Sequence, residues 1–172
     1  TRILSSAASD VYKRQVLGHV GLAFVIAGVT LTSAYSVERD VSMKPGDTVA
    51  LNEYKYRFDG VKSIRGANYS GHAGVVTVLK NDKQVTVLHA EKRRYDIGMQ
   101  FMTEAAVDAG FTRDLYLALG EQLSQGAWSL RIYHKPYVRW MWLGGILISL
   151  AGFLVLGDKR YRQKSTKQEA SA

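Results

Sequence analysis

Two long apolar runs bracket a stretch in which apolar and polar positions alternate. The first, VLGHVGLAFVIAGVTLTSA (residues 16–34), holds 19 residues without a charge. The second, YVRWMWLGGILISLAGFLVLG (residues 137–157), carries no charge from residue 140 onward. A helix rises about 1.5 Å per residue, so roughly 20 residues cross a hydrocarbon layer about 30 Å thick. A buried helix of a soluble protein can show the same pattern, but two such runs in a chain of 172 residues favour a membrane. The predicted elements are transmembrane helices over 16–36 and 137–157.

The segment between them, 37–136, reads as an exported, mostly-β domain. In EYKYRFD, Tyr54, Tyr56 and Phe58 alternate with Lys55, Arg57 and Asp59, the period of a half-buried strand. GVVTVLKNDKQVTVLHAEKRRY sets two β-branched runs around Asn81-Asp82, a hairpin signal. AWSLRIYHK gives another strand, ending before Pro136. RDLYLALGEQLSQGAW suits a helix or a strand; the alternation of Leu115, Leu117 and Leu119 favours a strand leading to a turn at Gln125-Gly126. MTEAAVDAG predicts a short helical turn. Five to seven short strands in this span predict a small closed or nearly closed barrel, an OB-like barrel among the forms it can take. The fold class is thus a membrane protein with two transmembrane α-helices flanking an exported mostly-β domain.

Composition changes the picture in two places. No cysteine is present, which excludes disulfides, thiolate zinc sites, a thiol nucleophile and a C-x-x-C-H haem attachment on this chain. The formal charge of +8 would suit nucleic acid, but residues 38–135 hold 14 Lys/Arg against 12 Asp/Glu. The excess lies beside the apolar runs, where it reads as membrane topology and not as a nucleic-acid surface. Lys159, Arg160, Arg162, Lys164 and Lys167 place the tail, 158–172, in the cytoplasm. Two crossings then put the middle domain outside, in the periplasm of a bacterium. Tyr137, Trp140 and Trp142 suit the interface, and Arg139 can snorkel to headgroups. Residues 1–15 (TRILSSAASDVYKRQ) read as a foreign or disordered lead-in, and the chain as the C-terminal piece of a longer protein.

His19 is the residue this pattern does not explain. It lies about 23–25 Å along the helix axis below an exit near residues 34–36, in the inner half of the bilayer. On a helix it shares a face with Leu22, Ala23, Ile26, Ala27 and Thr30, with Gly18 and Gly21 beside it. One reading is a hydrogen bond to a neighbouring helix, or a place at the headgroups. The other is a metal ligand whose second nitrogen is fixed by an acceptor. Spacing alone favours the first.

The other candidates read more plainly. His72, His89 and His134 suit surface imidazoles; His89 and Glu91 could share a strand face, but two ligands are too few for a metal. Lys92, Arg93 and Arg94 read first as a solvated strand edge and second as a site for propionates or an acidic partner. Glu104, Asp108, Arg113 and Asp114 suit internal salt bridges or partner docking. Gly145, Ser149 and Gly152 offer a small-residue face for packing of the second helix.

LGHVGLAF, AYSVERDVSMKPGDTVALNEYKYRFDGV, AEKRRYDIGMQFMTEAAVDAGFTRDLYLALGE and GAWSLRIYHKPYVRWMWLGGILISLAG together resemble the C-terminal quarter of the CcmF/NrfE family. The resemblance runs from about residue 16 to 162. It implies part of the membrane haem lyase of cytochrome c maturation, which attaches haem to apocytochrome c. It implies partners of the CcmH and CcmI type, the haem chaperone CcmE, a bilayer, and a bacterial inner-membrane location. It also implies that His19 is one of two axial histidines of an intramembrane haem b, with its iron as the only metal. The second histidine and most of the pocket lie outside this chain, which carries no catalytic residue of its own and is expected to be inactive alone. The rival reading is a non-enzymatic, membrane-anchored periplasmic binding or assembly module, which needs no intramembrane imidazole. A transporter segment is weaker, since neither run shows a broken helix or buried charge pair.

Overall fold

The computed structural model describes residues 2–98 and 100–156. The basic tail expected at 158–172 lies outside the described residues. The chain divides into two units, one of apolar helices and one, Thr32–Tyr137, of strands.

Helix α1 spans Arg2–Tyr35 and α2 spans Val138–Leu156. Within them, Tyr12–Tyr35 and Val138–Leu156 are long and apolar enough to cross a membrane. Residues 2–15, the stretch read as a foreign or disordered lead-in, continue α1 as helix. They contain no glycine or proline, and extending an existing helix by one residue costs far less than nucleating one.

The helices approach each other closely through glycine. A Cβ on Gly144 would come within 2.5 Å of the Gly21 carbonyl oxygen, and one on Gly28 within 2.8 Å of Met141. Phe24 meets Trp140 edge-on, with ring centroids 5.5 Å apart. The small-residue face at Gly145, Ser149 and Gly152, expected to pack against His19's helix or against a part of the protein outside this chain, is not the face turned to α1. A Cβ on Gly145 or Gly152 would meet nothing within 4 Å, and the Ser149 hydroxyl donates back to the Gly145 carbonyl at 2.8 Å. One residue of phase decides this, because each step rotates the helix by about 100°. Leu22, Ile26, Trp142 and Phe153 remain exposed, as suits side chains facing lipid or further protein.

The β unit contains nine strands in two antiparallel sheets: β1 (Val37–Met43), β2 (Thr48–Leu51), β3 (Tyr54–Arg65), β4 (Tyr69–Lys80), β5 (Lys83–Tyr95), β6 (Phe101–Glu104), β7 (Ala106–Ala109), β8 (Arg113–Gln122) and β9 (Trp128–Pro136). One sheet runs β1-β9-β8-β7 and the other β2-β3-β4-β5-β6. The alternation read from the sequence is realised in β3, where Tyr54, Tyr56 and Phe58 are buried and Lys55, Arg57 and Asp59 exposed. Leu115, Leu117 and Leu119 alternate into the same core from β8, beside Val76, Val78, Leu130 and Ile132.

Asn81 and Asp82, both at positive φ (51° and 58°), turn β4 into β5. Two consecutive left-handed residues are what a type I′ hairpin turn requires, and Asn and Asp tolerate that region. The helical turn expected in MTEAAVDAG is absent. Residues 101–104 pair with β5 and residues 106–109 with β8, so ladder bonds override the helix preference of the alanines. This segment leaves one sheet and joins the other at Ala105, as residues 37–51 do on the opposite side. Strands that switch sheets make the corners of a sandwich. The barrel-like enclosure is thus built from nine strands in two sheets, not the five of an OB barrel.

Candidate functional site

His19 stands on α1 one residue past Gly18, whose face meets Ala151 of α2. The extra 100° of rotation carries the imidazole off the contact, and His19 is exposed within the helix pair. Its Nδ1 lies 2.7 Å from the Gln15 carbonyl oxygen, one turn earlier. A carbonyl only accepts, so Nδ1 donates this bond, and in the neutral imidazole that leaves the lone pair on Nε2. That is the arrangement by which metal-binding histidines are oriented: one nitrogen tied to an acceptor, the other free to ligate. Exposed Val16, Val20, Leu22 and Ile26 make the neighbouring surface apolar, and Ala23 keeps part of it low. A flat, apolar, iron-bearing ring fits this donor and this surface. The sequence marked His19; it could not mark the Gln15 carbonyl, because any residue at that position supplies one.

In the β unit the other histidines part company. His72 is exposed, with its ring 5.4 Å from that of Trp128. His89 is exposed, while Glu91 is held by Arg93 at 2.7 Å. Among the described residues no three His, Cys, Asp or Glu side chains gather as a metal site. His134, expected at the surface, is half-buried between β1 and β8. Its Nδ1 is buried without a hydrogen-bond partner, and its ring lies 6.0 Å from Tyr54. Burial holds its pKa below the ordinary histidine value, with Glu53 opposing and Arg113 assisting.

The sign of the consequence follows. Below the unfolded-state pKa, about 6.5, the unfolded chain takes up a proton that folded His134 resists. Stability is therefore full above that pH and falls as pH drops toward the lowered folded value. The melting temperature of the β unit should fall between pH 7.5 and 5.5, and His134→Gln should flatten that slope. An unchanged slope in the variant would contradict the assignment.

The four charged residues from 104 to 114 are mostly tied down internally. Arg113 is held by the Asp108 carboxylate and donates to Tyr54 Oη at 3.1 Å. Buried Asp114 accepts the Gly110 N–H at 3.0 Å. Glu104 stands 3.8 Å from Arg93. Asp59 is disfavoured as an anion by burial, but hydrogen bonds from Thr77 and Arg57 outweigh that and lower its pKa. Of the basic triplet, Arg93 is also stacked 4.5 Å over Tyr69. Lys92 contacts Glu121 and stands 5.7 Å over the Phe101 ring. The triplet is covered by β6, so it is not the free strand edge expected. Lys92 and Arg94 line a cleft of about 640 Å³ together with Arg65, Phe101 and Trp128. This grouping was invisible in the sequence, since Arg65 of β3 and Trp128 of β9 belong to different sheets and share a cleft only because the two sheets pack together.

The family model described as CcmF C-terminal beta-sandwich matches residues 34–136. The chain belongs to the CcmF family. It is 48% identical over 160 residues to the cytochrome c-type biogenesis protein CcmF of Escherichia coli K12, covering 93% of this chain and 25% of that protein. It is 50% identical over 148 residues to CcmF of Pseudomonas aeruginosa, covering 86% of this chain and 22% of the relative. Identity to the cytochrome c-type biogenesis protein NrfE of Haemophilus influenzae is 31% over 150 residues, covering 87% of this chain and 24% of that protein. The chain thus spans about a quarter of the length of these CcmF-family relatives. A solved structure named Cytochrome c Heme Lyase CcmF shares the fold, with a TM-score of 0.73, 14% identity, and coverage of 88% of this chain and 25% of that one.

Proposed function

We propose that this chain forms the C-terminal part of a membrane haem lyase of cytochrome c maturation, in which His19 supplies one axial ligand to an intramembrane b-type haem. The observation that supports the ligand role is the contact of Nδ1 with the Gln15 carbonyl, which orients the ring on an exposed apolar face and leaves Nε2 as the nitrogen available to a metal. Family membership supplies the wider setting. Bound there, the haem would contribute one-electron chemistry. The chain's own task is to hold the imidazole oriented and to offer the ring an apolar surface. The second axial histidine belongs to the part of the protein beyond this chain. Apocytochrome c, a CcmE-type haem chaperone and CcmH/CcmI-type proteins are the proposed partners.

The experiment is His19→Ala in the full-length protein, scored by covalent haem attachment to a co-expressed apocytochrome c. Attachment should fall at least tenfold. Full attachment would contradict a required role for the histidine and leave the anchored-module reading in its place.

The proposed location is the bacterial inner membrane, with the β unit in the periplasm. Asn81, exposed at the β4–β5 turn, is a suitable reporter. Asn81→Cys should react with an impermeant maleimide in intact spheroplasts. Labelling only after lysis would reverse the orientation.

A further inference from the structure

Residues 101–109 cross from one sheet to the other and leave a seam open. β6 is the last strand of its sheet, pairing with β5 through Phe101–Glu104 on one side only. β7 pairs with β8 at residues 114–117, so residues 118–122 have no ladder partner on that side among the described residues. The cleft of about 640 Å³ reaches this seam from the neighbouring strands, lined by Arg65 of β3, His72 of β4 and Arg94 of β5 together with Phe101 of β6 and Glu121 and Gln122 of β8. Its volume is within the roughly 300–1,000 Å³ usual for binding sites.

We propose that this cleft docks an extended acidic peptide segment of a partner protein, which adds a strand to the outer edge of β6. Three observations point there. First, the edge is open: Phe101, Met102 and Thr103 are exposed, and β6 pairs on one side only among the described residues. An added strand gains main-chain hydrogen bonds there and seats alternate side chains in the cleft. Second, the cleft offers aromatic surface: Phe101 is exposed, and Trp128, with the His72 ring tilted against it, also lines the cleft. Third, the charge is one-sided. Lys92 is already matched by Glu121, and among the described residues no carboxylate pairs with exposed Arg65 or Arg94. Arg94 can grip a carboxylate of the added strand in bidentate fashion; Arg65, at the end of β3, adds positive charge at the far side of the cleft. Arg94 faces Phe101 in the ladder, so its charge stands beside the edge to be extended. None of this depends on His19, and the two readings can fail separately.

The test uses the full chain in detergent micelles and three probes: an alternating Glu-Val decapeptide, a Lys-Val decapeptide of equal length, and citrate. The Glu-Val peptide should bind and slow amide exchange across residues 101–104 at least tenfold. Arg65→Glu/Arg94→Glu should weaken that binding at least tenfold and take up the Lys-Val peptide instead. Arg94→Gln alone, the milder change, should give a partial loss in the same direction. Binding without β6 protection, equal affinity for the two peptides, displacement by citrate at equal carboxylate concentration, or no binding would each overturn the proposal. Citrate displacement would assign the cleft to small anions.

Discussion

Replacing Phe58 with alanine will lower the unfolding free energy of the β unit by about 3–5 kcal/mol. Phe58 is wholly buried in β3, packed among Tyr56, Val76, Val78 and the leucines of β8 and β9. Truncation removes its transfer free energy and leaves a cavity. The walls cannot collapse, because they belong to strands pinned by ladders in two sheets. A domain of this size commonly has about 5–15 kcal/mol of stability in all, so the variant should unfold at a much lower denaturant concentration. Exposed Lys62, on the same strand, should change stability by no more than about 0.5 kcal/mol when made alanine. Denaturant titration followed by near-ultraviolet circular dichroism compares the two. A loss below about 1 kcal/mol for Phe58→Ala would mean that the two sheets do not close on this side chain.

The parts legible in sequence were those written in local period. Tyr54, Tyr56 and Phe58 announced their face through a repeat of two, and Asn81-Asp82 announced a turn because few other residue pairs accept two positive φ angles. The apolar runs announced helices by length. What was not legible depends on contacts distant in sequence. The sheet switch at Ala105 follows from partners on β5 and β8, whereas the local alanines favour a helix. His134 looks like a strand-end surface residue until β1 and β8 flank it. Gly144 and Gly145 are adjacent and alike in composition, and only the phase of the helix pair puts the first against Gly21. At His19 the sequence supplied the donor and the family resemblance supplied its proposed role. The structure adds the Gln15 carbonyl that orients its ring.

The second large effect is expected at His19. In the full-length protein, His19→Ala removes one of the two proposed imidazole ligands, and nothing on the same exposed face can replace it: Leu22, Ala23, Ile26 and Ala27 carry no donor atom, and a helical threonine such as Thr30 is a poor ligand for haem iron. Added imidazole should partly restore ligation, since the substitution leaves a space the size of the lost ring beside Ala23. His89→Ala changes an exposed residue of the β unit and should leave the haem unaffected. The isolated 172-residue chain should bind haem poorly, because one imidazole on one helix neither fixes the macrocycle nor covers its second face.

The most direct measurement is the reduced-minus-oxidised absorption spectrum of the purified full-length protein, wild type beside His19→Ala, at matched protein concentration. The account predicts a low-spin, bis-imidazole b-type spectrum in the wild type. It predicts loss or alteration of that spectrum in the variant, with partial return on adding imidazole. An identical spectrum and haem content in His19→Ala would contradict it, and His19 would then be a packing residue on the exposed face of its helix.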